Sequence, residues 1–118
     1  MLYKYKGTEM DKEYILVLCT CPEGEKASSM AHQLVNEKLA ACVNIFPKMI
    51  SVYAWQGSIQ KEYESMLFIK TEKKAYPSLQ ARIKEIHPYE IPEIIMVSIE
   101  QGLPEYLNWI SQWLNNES

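Results

Sequence analysis

A chain of 118 residues suits one domain with a modest core. Its residues are 47% hydrophobic and 23% charged, an ordinary globular balance that excludes a disordered chain. The net charge is -3 and Lys and Arg are scattered, which excludes the clustered basic face that nucleic acid requires.

Residues Met1–Lys12 are polar, without the apolar stretch of a secretory leader, and read as a flexible extension ahead of a single domain at 13–118. No apolar run approaches the roughly 18 residues that cross a bilayer. The expected setting is the cytoplasm, with no membrane partner. Cys19, Cys21 and Cys42 are an odd set without a disulfide framework, and free thiols suit a reducing compartment. We expect Cys19 and Cys21 on opposite faces of one strand, unable to bridge.

Tyr14–Cys19 is a short apolar run ended by Pro22 and Gly24, which argues for a strand. Glu25–Ala41 follows as a helix, with Ala27, Met30, Ala31, Leu34, Val35 and Leu39 forming one stripe. Glu23 and Glu25 suit its positive end. The β-rich segments Ala41–Gln56 and Lys61–Thr71 flank Gly57-Ser58 and predict a long hairpin, its first arm an edge or bulged strand at Pro47. Lys74–Ile86 predicts a second helix, with Pro77 in its first turn and His87-Pro88 as its stop. Glu93–Ile99 predicts a strand. Pro104 opens a last helix that buries Tyr106, Leu107, Ile110, Trp113 and Leu114, with Trp109 also assigned to the core. Cys42 is assigned to the core and His32 to the surface. The order β-α-β-β-α-β plus a C-terminal helix is the α+β, ferredoxin-like pattern with an antiparallel sheet.

Two features exceed what one domain can satisfy. Ile15–Cys19, Met66–Ile69 and Ile94–Val97 are apolar at successive positions, so both faces of the sheet look buried, although helices cover only one. An arm of about 15 residues spans roughly 50 Å against about 22 Å for an ordinary strand, so the hairpin must overhang. An overhanging edge that carries Tyr53 and Trp55 calls for pairing by other copies of the chain in a closed ring.

These residues resemble a family. Leu18-Cys-Thr-Cys-Pro22, Lys38-Leu-Ala-Ala-Cys-Val-Asn44, Ser51-Val-Tyr-Ala-Trp-Gln-Gly57, Glu62-Tyr-Glu64, Ile69-Lys-Thr71, His87-Pro-Tyr-Glu-Ile-Pro-Glu93 and Tyr106-Leu-Asn-Trp109 are similar, in order, to the signatures of the CutA divalent-cation tolerance proteins. The resemblance covers about Tyr14–Trp113. It implies a tight homotrimer, a role in the response to metal ions, copper binding in some members, and an architecture like the trimeric PII signalling proteins.

In members with a copper site, the resemblance implies a Cys at the position of Cys19 and a His-His pair just before Pro-Tyr. Here His87 matches the second His and Ile86 replaces the first. Topology is expected to gather Cys19, Cys21, Gly57, His87 and Glu93 at one end of the sheet. Cys19 and His87 are therefore the candidate metal ligands, with Cys21 and Glu93 as further donors; a thiolate with an imidazole suits copper or zinc. The plainer reading makes Cys19 a packing residue and His87 a cap of the second helix. Tyr53, Trp55 and Gly57 are expected at the subunit interface, where Tyr and Trp are enriched. Tyr53, Trp55 and Tyr89 also invite a stacking reading. Glu62, Glu64 and Lys70 alternate on one strand face, but no nucleophile or base accompanies them, so no catalytic residues are assigned and an enzyme is not expected. The alternative to a metal-binding trimer is a PII-like signalling or scaffold trimer that takes a small ligand or a partner protein in its clefts.

Overall fold

Strict alternation shapes the first strand. β1 (Tyr14–Pro22) buries Ile15, Val17, Cys19 and Cys21 completely and turns Leu16 and Leu18 to the other side. The computed structural model describes residues 13–115; the extension assigned to 1–12 lies outside them. Cys19 and Cys21 share the helix-facing side. A strand repeats every two residues, so positions i and i+2 point the same way, contrary to the expected opposite faces. Both are nonetheless free thiols.

α1 (Glu25–Asn36) presses Ala27, Met30 and Leu34 onto that side. It stops five residues short of the expected Ala41, because Lys38 turns to φ 61°. The N–H groups of Leu39 and Lys38 then donate to the carbonyls of Leu34 (3.0 Å) and Val35 (3.1 Å). This pair of bonds is a Schellman cap, which satisfies carbonyls that the helix leaves open. β2 (Cys42–Trp55) and β3 (Ser58–Glu72) form the hairpin. Its register shifts between Phe46 and Met49, at the bulge expected around Pro47. The tip is Gln56-Gly57, at the place expected near Gly57, with φ of 49° and 84°. Two successive positive φ values make the two-residue turn that matches strand twist, and Gly adopts one of them without penalty.

A single 3₁₀ turn at Lys73–Ala75 leads into α2 (Tyr76–Ile86), which carries Pro77 in its first turn and buries Leu79 and Ile83. β4 (Ile94–Ile99) and α3 (Pro104–Leu114) complete the chain. The sheet order is β2-β3-β1-β4, antiparallel throughout, as the ferredoxin-like pattern requires.

α1 and α2 cover one face only. On the other, Leu16, Leu18, Met66 and Phe68 are half-buried, while Ile95 and Val97 are 49% and 45% exposed. Cys42 lies on this open face, opposite Lys70 and outside the expected core. α3 reaches the open face at one end, where Ser111 donates to the buried carboxylate of Glu72 and meets the Tyr14 hydroxyl at 2.7 Å. Ile110 and Ser111 are its buried residues. Tyr106 and Trp109 were expected in the core but stack on each other at the surface, Trp109 being 45% exposed. The helix touches the sheet along one narrow side, which Ile110 and Ser111 occupy.

Candidate functional site

β1 stops pairing with β3 at Pro22 opposite Glu64, so among the described residues the hairpin beyond Glu64 has no third strand. The overhang makes the domain 59 Å long and only 25 by 22 Å across. Trp55 is 56% exposed on it, and Gly57 lies about 23 Å past Glu64 by strand rise. Gly57 is thus at the expected end of the molecule but far from the other candidate residues.

Those residues gather where β1, β4 and the end of α2 meet. Cys19 pairs with Ile94, which places it beside the start of β4. His87 ends α2, its amide donating to Ile83 O at 2.8 Å. Its ring then turns back to β1. The carbonyl of Thr20 only accepts, so Nε2 carries the proton and donates to it at 2.7 Å. The amide of Tyr89 only donates, so Nδ1 accepts from it at 3.0 Å. His87 is therefore the neutral Nε2–H tautomer with both nitrogens committed. It works as a latch between the 87–93 segment and β1, more than as the charged helix cap expected from its position.

Cys19 is fully buried and donates weakly to the Thr20 carbonyl. Burial, with Cys21, Glu93 and Glu64 behind it, pushes its pKa up to about 12. Burial, then Glu64 and Glu23, pushes Cys21 up to about 11. Both are thiols at neutral pH, whereas a metal binds the thiolate. Among the described residues, no group of three or more His, Cys, Asp or Glu side chains is placed to hold a metal ion. The Cys19–His87 pair does not fit copper in this folded arrangement: Cys19 is fully buried, and both ring nitrogens of His87 are already hydrogen-bonded, to Thr20 and Tyr89.

On the open side of the same region lies a groove of about 870 Å³ between the hairpin and the 89–93 segment. Glu62 and Glu64 project from β3, and Glu90 and Glu93 line the opposite wall. Glu64 is buried and its Oε2 accepts from the Tyr89 hydroxyl at 2.8 Å. Burial and this carboxylate raise the Tyr89 phenol well above its usual value. Tyr53 is raised more mildly, by partial desolvation and by Glu62. Among the described residues, no Lys, Arg or His lines the groove. Lys70, on the same strand face, lies six residues from Glu64 and sits over the Tyr106 ring instead. The sequence flags Glu62, Glu64 and Tyr89 separately. Their meeting depends on a contact across 25 positions, which no local pattern announces.

A family model described as CutA1 divalent ion tolerance protein matches residues 15–113. A divalent-cation tolerance protein CutA from Thermus thermophilus is 45% identical over 97 residues, 82% of this chain and 94% of the relative. Its solved structure superimposes with a TM-score of 0.80. The crystal structure of CutA1 from Oryza sativa gives a TM-score of 0.84 at 39% identity, covering 86% of this chain and 93% of that one. Protein CutA of Mus musculus is 41% identical over 93 residues, 79% of this chain, and the match spans about half (52%) of the mouse protein.

Proposed function

This chain belongs to the CutA1 divalent ion tolerance protein family, and from that premise we propose that it acts as a homotrimer in the response to divalent metal ions. The observation that carries the assembly is the sheet face that the described residues leave uncovered. Leu18, Phe68, Ile95 and Val97 form a contiguous apolar surface across β3, β1 and β4. Such a surface is the usual mark of a partner contact. The overhanging hairpin adds an unpaired edge bearing Tyr53 and Trp55, which neighbouring copies would pair and cover. A ring of identical contacts closes without leaving an edge.

Copper, like zinc, is an ion that a thiolate–imidazole pair would suit. In the folded chain that pairing requires ionising a buried thiol and releasing His87 from Tyr89. Copper contact at Cys19 and His87 is accordingly proposed only for a state in which the 87–93 segment has opened. The carboxylate-lined groove does not favour the anionic ligand of a PII-like trimer.

Native mass spectrometry of the reduced protein during a copper titration tests both parts. The expected result is a trimer whose copper uptake is slow and rises only when Cys19 becomes accessible to thiol reagents. A monomer would remove the assembly. Rapid uptake in a fixed ratio, abolished by Cys19→Ala, would make the pair a resident copper site and contradict the restricted reading.

A further inference from the structure

α3 is held differently from the other two helices. The core cluster takes Met30 and Leu34 from α1 and Leu79 and Ile83 from α2, but among the described residues it takes nothing from α3. Polar contacts hold α3 instead, and they crowd at its far end. The Trp113 indole donates to the Val35 carbonyl in α1 at 2.9 Å. Lys38, in the cap of α1, donates to the Trp113 carbonyl at 3.2 Å and lies 3.4 Å over the Trp113 ring. Lys74 donates to Asn115 at 3.1 Å. The near end is looser: Leu103 is 66% exposed, and Tyr106 and Trp109 stack at the surface. The 100–103 linker that feeds it forms neither helix nor strand. A Cβ on Gly102 would stand 3.2 Å from Leu107, so this linker folds back tightly on the helix.

What α3 closes over is a carboxylate. Glu72 is only 2% exposed. Ser111 donates to its Oε2. That uses the single serine hydrogen, so the Tyr14 hydroxyl donates to Ser111 in turn. The other oxygen, Oε1, is buried and accepts no hydrogen bond among the described residues. Lys74 is 3.6 Å from it, beyond hydrogen-bond range, and its side chain is 69% exposed. A carboxylate withdrawn from water with one oxygen unbonded raises the free energy of the closed arrangement. Lifting α3 would return that oxygen to water and leave the core cluster intact. The contacts of Ser111, Trp113 and Asn115 therefore hold the helix down against a buried charge that favours its release.

We propose that α3 is a strap that swings on the 100–103 linker and fastens through Ser111 and Trp113, opening as a unit while the sheet, α1 and α2 stay folded. Glu72 sets the balance between the two positions. The open position bares Glu72 and the Tyr14 hydroxyl beside the apolar open face. The device needs neither copper nor the groove at the other end of the sheet.

Amide hydrogen exchange of the full reduced protein, followed residue by residue by nuclear magnetic resonance, tests it. Residues 108–113 are expected to exchange at one common rate, about tenfold or more faster than β1, as a unit that opens below the global unfolding free energy does. Fraying from the chain end would give a gradient instead. Glu72→Gln keeps an acceptor for Ser111 and removes the buried charge, and the Lys74 ammonium it leaves behind is solvated. Exchange in α3 should therefore slow, by about threefold or more. A purely stabilising role for Glu72 predicts the opposite sign. Ser111→Ala unfastens the strap and should quicken α3 exchange by about tenfold, as for loss of a hydrogen bond to a charged group, with β1 unchanged. Any of three results would overturn the proposal: exchange in α3 at the rate of β1 or graded along its length; exchange unchanged or faster in Glu72→Gln; or β1 quickened equally by Ser111→Ala.

Discussion

Replacing His87 with alanine removes a donor from the Thr20 carbonyl and an acceptor from the Tyr89 amide in one step. Each hydrogen bond contributes about 1 kcal/mol net, and a buried group left unpaired costs about 1–3 kcal/mol. The Thr20 contact is buried, although that carbonyl keeps the weak Cys19 thiol donor, and the Tyr89 contact is partly buried, which places the first cost in the middle of that range and the second near the bottom. Loss of the ring also removes its packing against Tyr89, 4.8 Å away between centroids. A destabilisation of about 3–5 kcal/mol follows. Urea unfolding followed by circular dichroism measures it, at one fixed protein concentration because assembly shifts apparent stability. Nitrogen-15 chemical shifts of the wild-type ring should report the Nε2–H tautomer. A loss below about 1 kcal/mol, or the Nδ1–H tautomer, would refute the latch and reopen His87 as an available ligand.

The two buried thiols set an alkaline limit. Their folded pKa values, about 12 for Cys19 and about 11 for Cys21, lie above the ordinary thiol value of 9.0. A raised acid binds its proton more tightly in the fold, so its stabilisation is complete below pH 9 and is lost as pH climbs toward the folded value. The reduced protein should lose up to about 1.4 kcal/mol per pH unit per thiol in that window. Urea midpoints at pH 8 and pH 10 check it, and Cys19→Ala should flatten the slope. Ile83→Ala, emptying a fully buried site between α2 and the sheet, should cost about 2–5 kcal/mol in the same assay. Phe68→Glu places a charge in the centre of the open face. It should reduce the assembly to monomers, read by size-exclusion chromatography with light scattering, while the helix-covered core keeps its circular dichroism.

The ferredoxin-like order was legible because each element announces itself through local periodicity: the apolar run at Ile15–Cys19, the stripe through Ala27, Met30 and Leu34, and two β-rich arms around Gly57. The overhang followed from arm length alone, since 14 and 15 residues in β2 and β3 exceed the nine of β1. Other features turned on what periodicity does not encode. Lys38 ends α1 through its backbone conformation, although the apolar stripe continues to Leu39. Trp109 has a helical spacing from Trp113 that resembles a core stripe, yet only one narrow side of α3 meets the sheet. His87 was picked out by the family resemblance, but its partners are a backbone carbonyl and a backbone amide, which no side-chain pattern marks. The groove needed tertiary register: Glu64 and Tyr89 meet only once β3 and the 87–93 segment are docked on β1.

The central claim is that the open face of this sheet is closed by other copies of the same chain. Sedimentation equilibrium of the reduced protein across a range of concentrations tests it most directly. A single species at three times 13.8 kDa, persisting on dilution, is the predicted result. A species at 13.8 kDa, with Leu18, Phe68, Ile95 and Val97 left facing water, would contradict it.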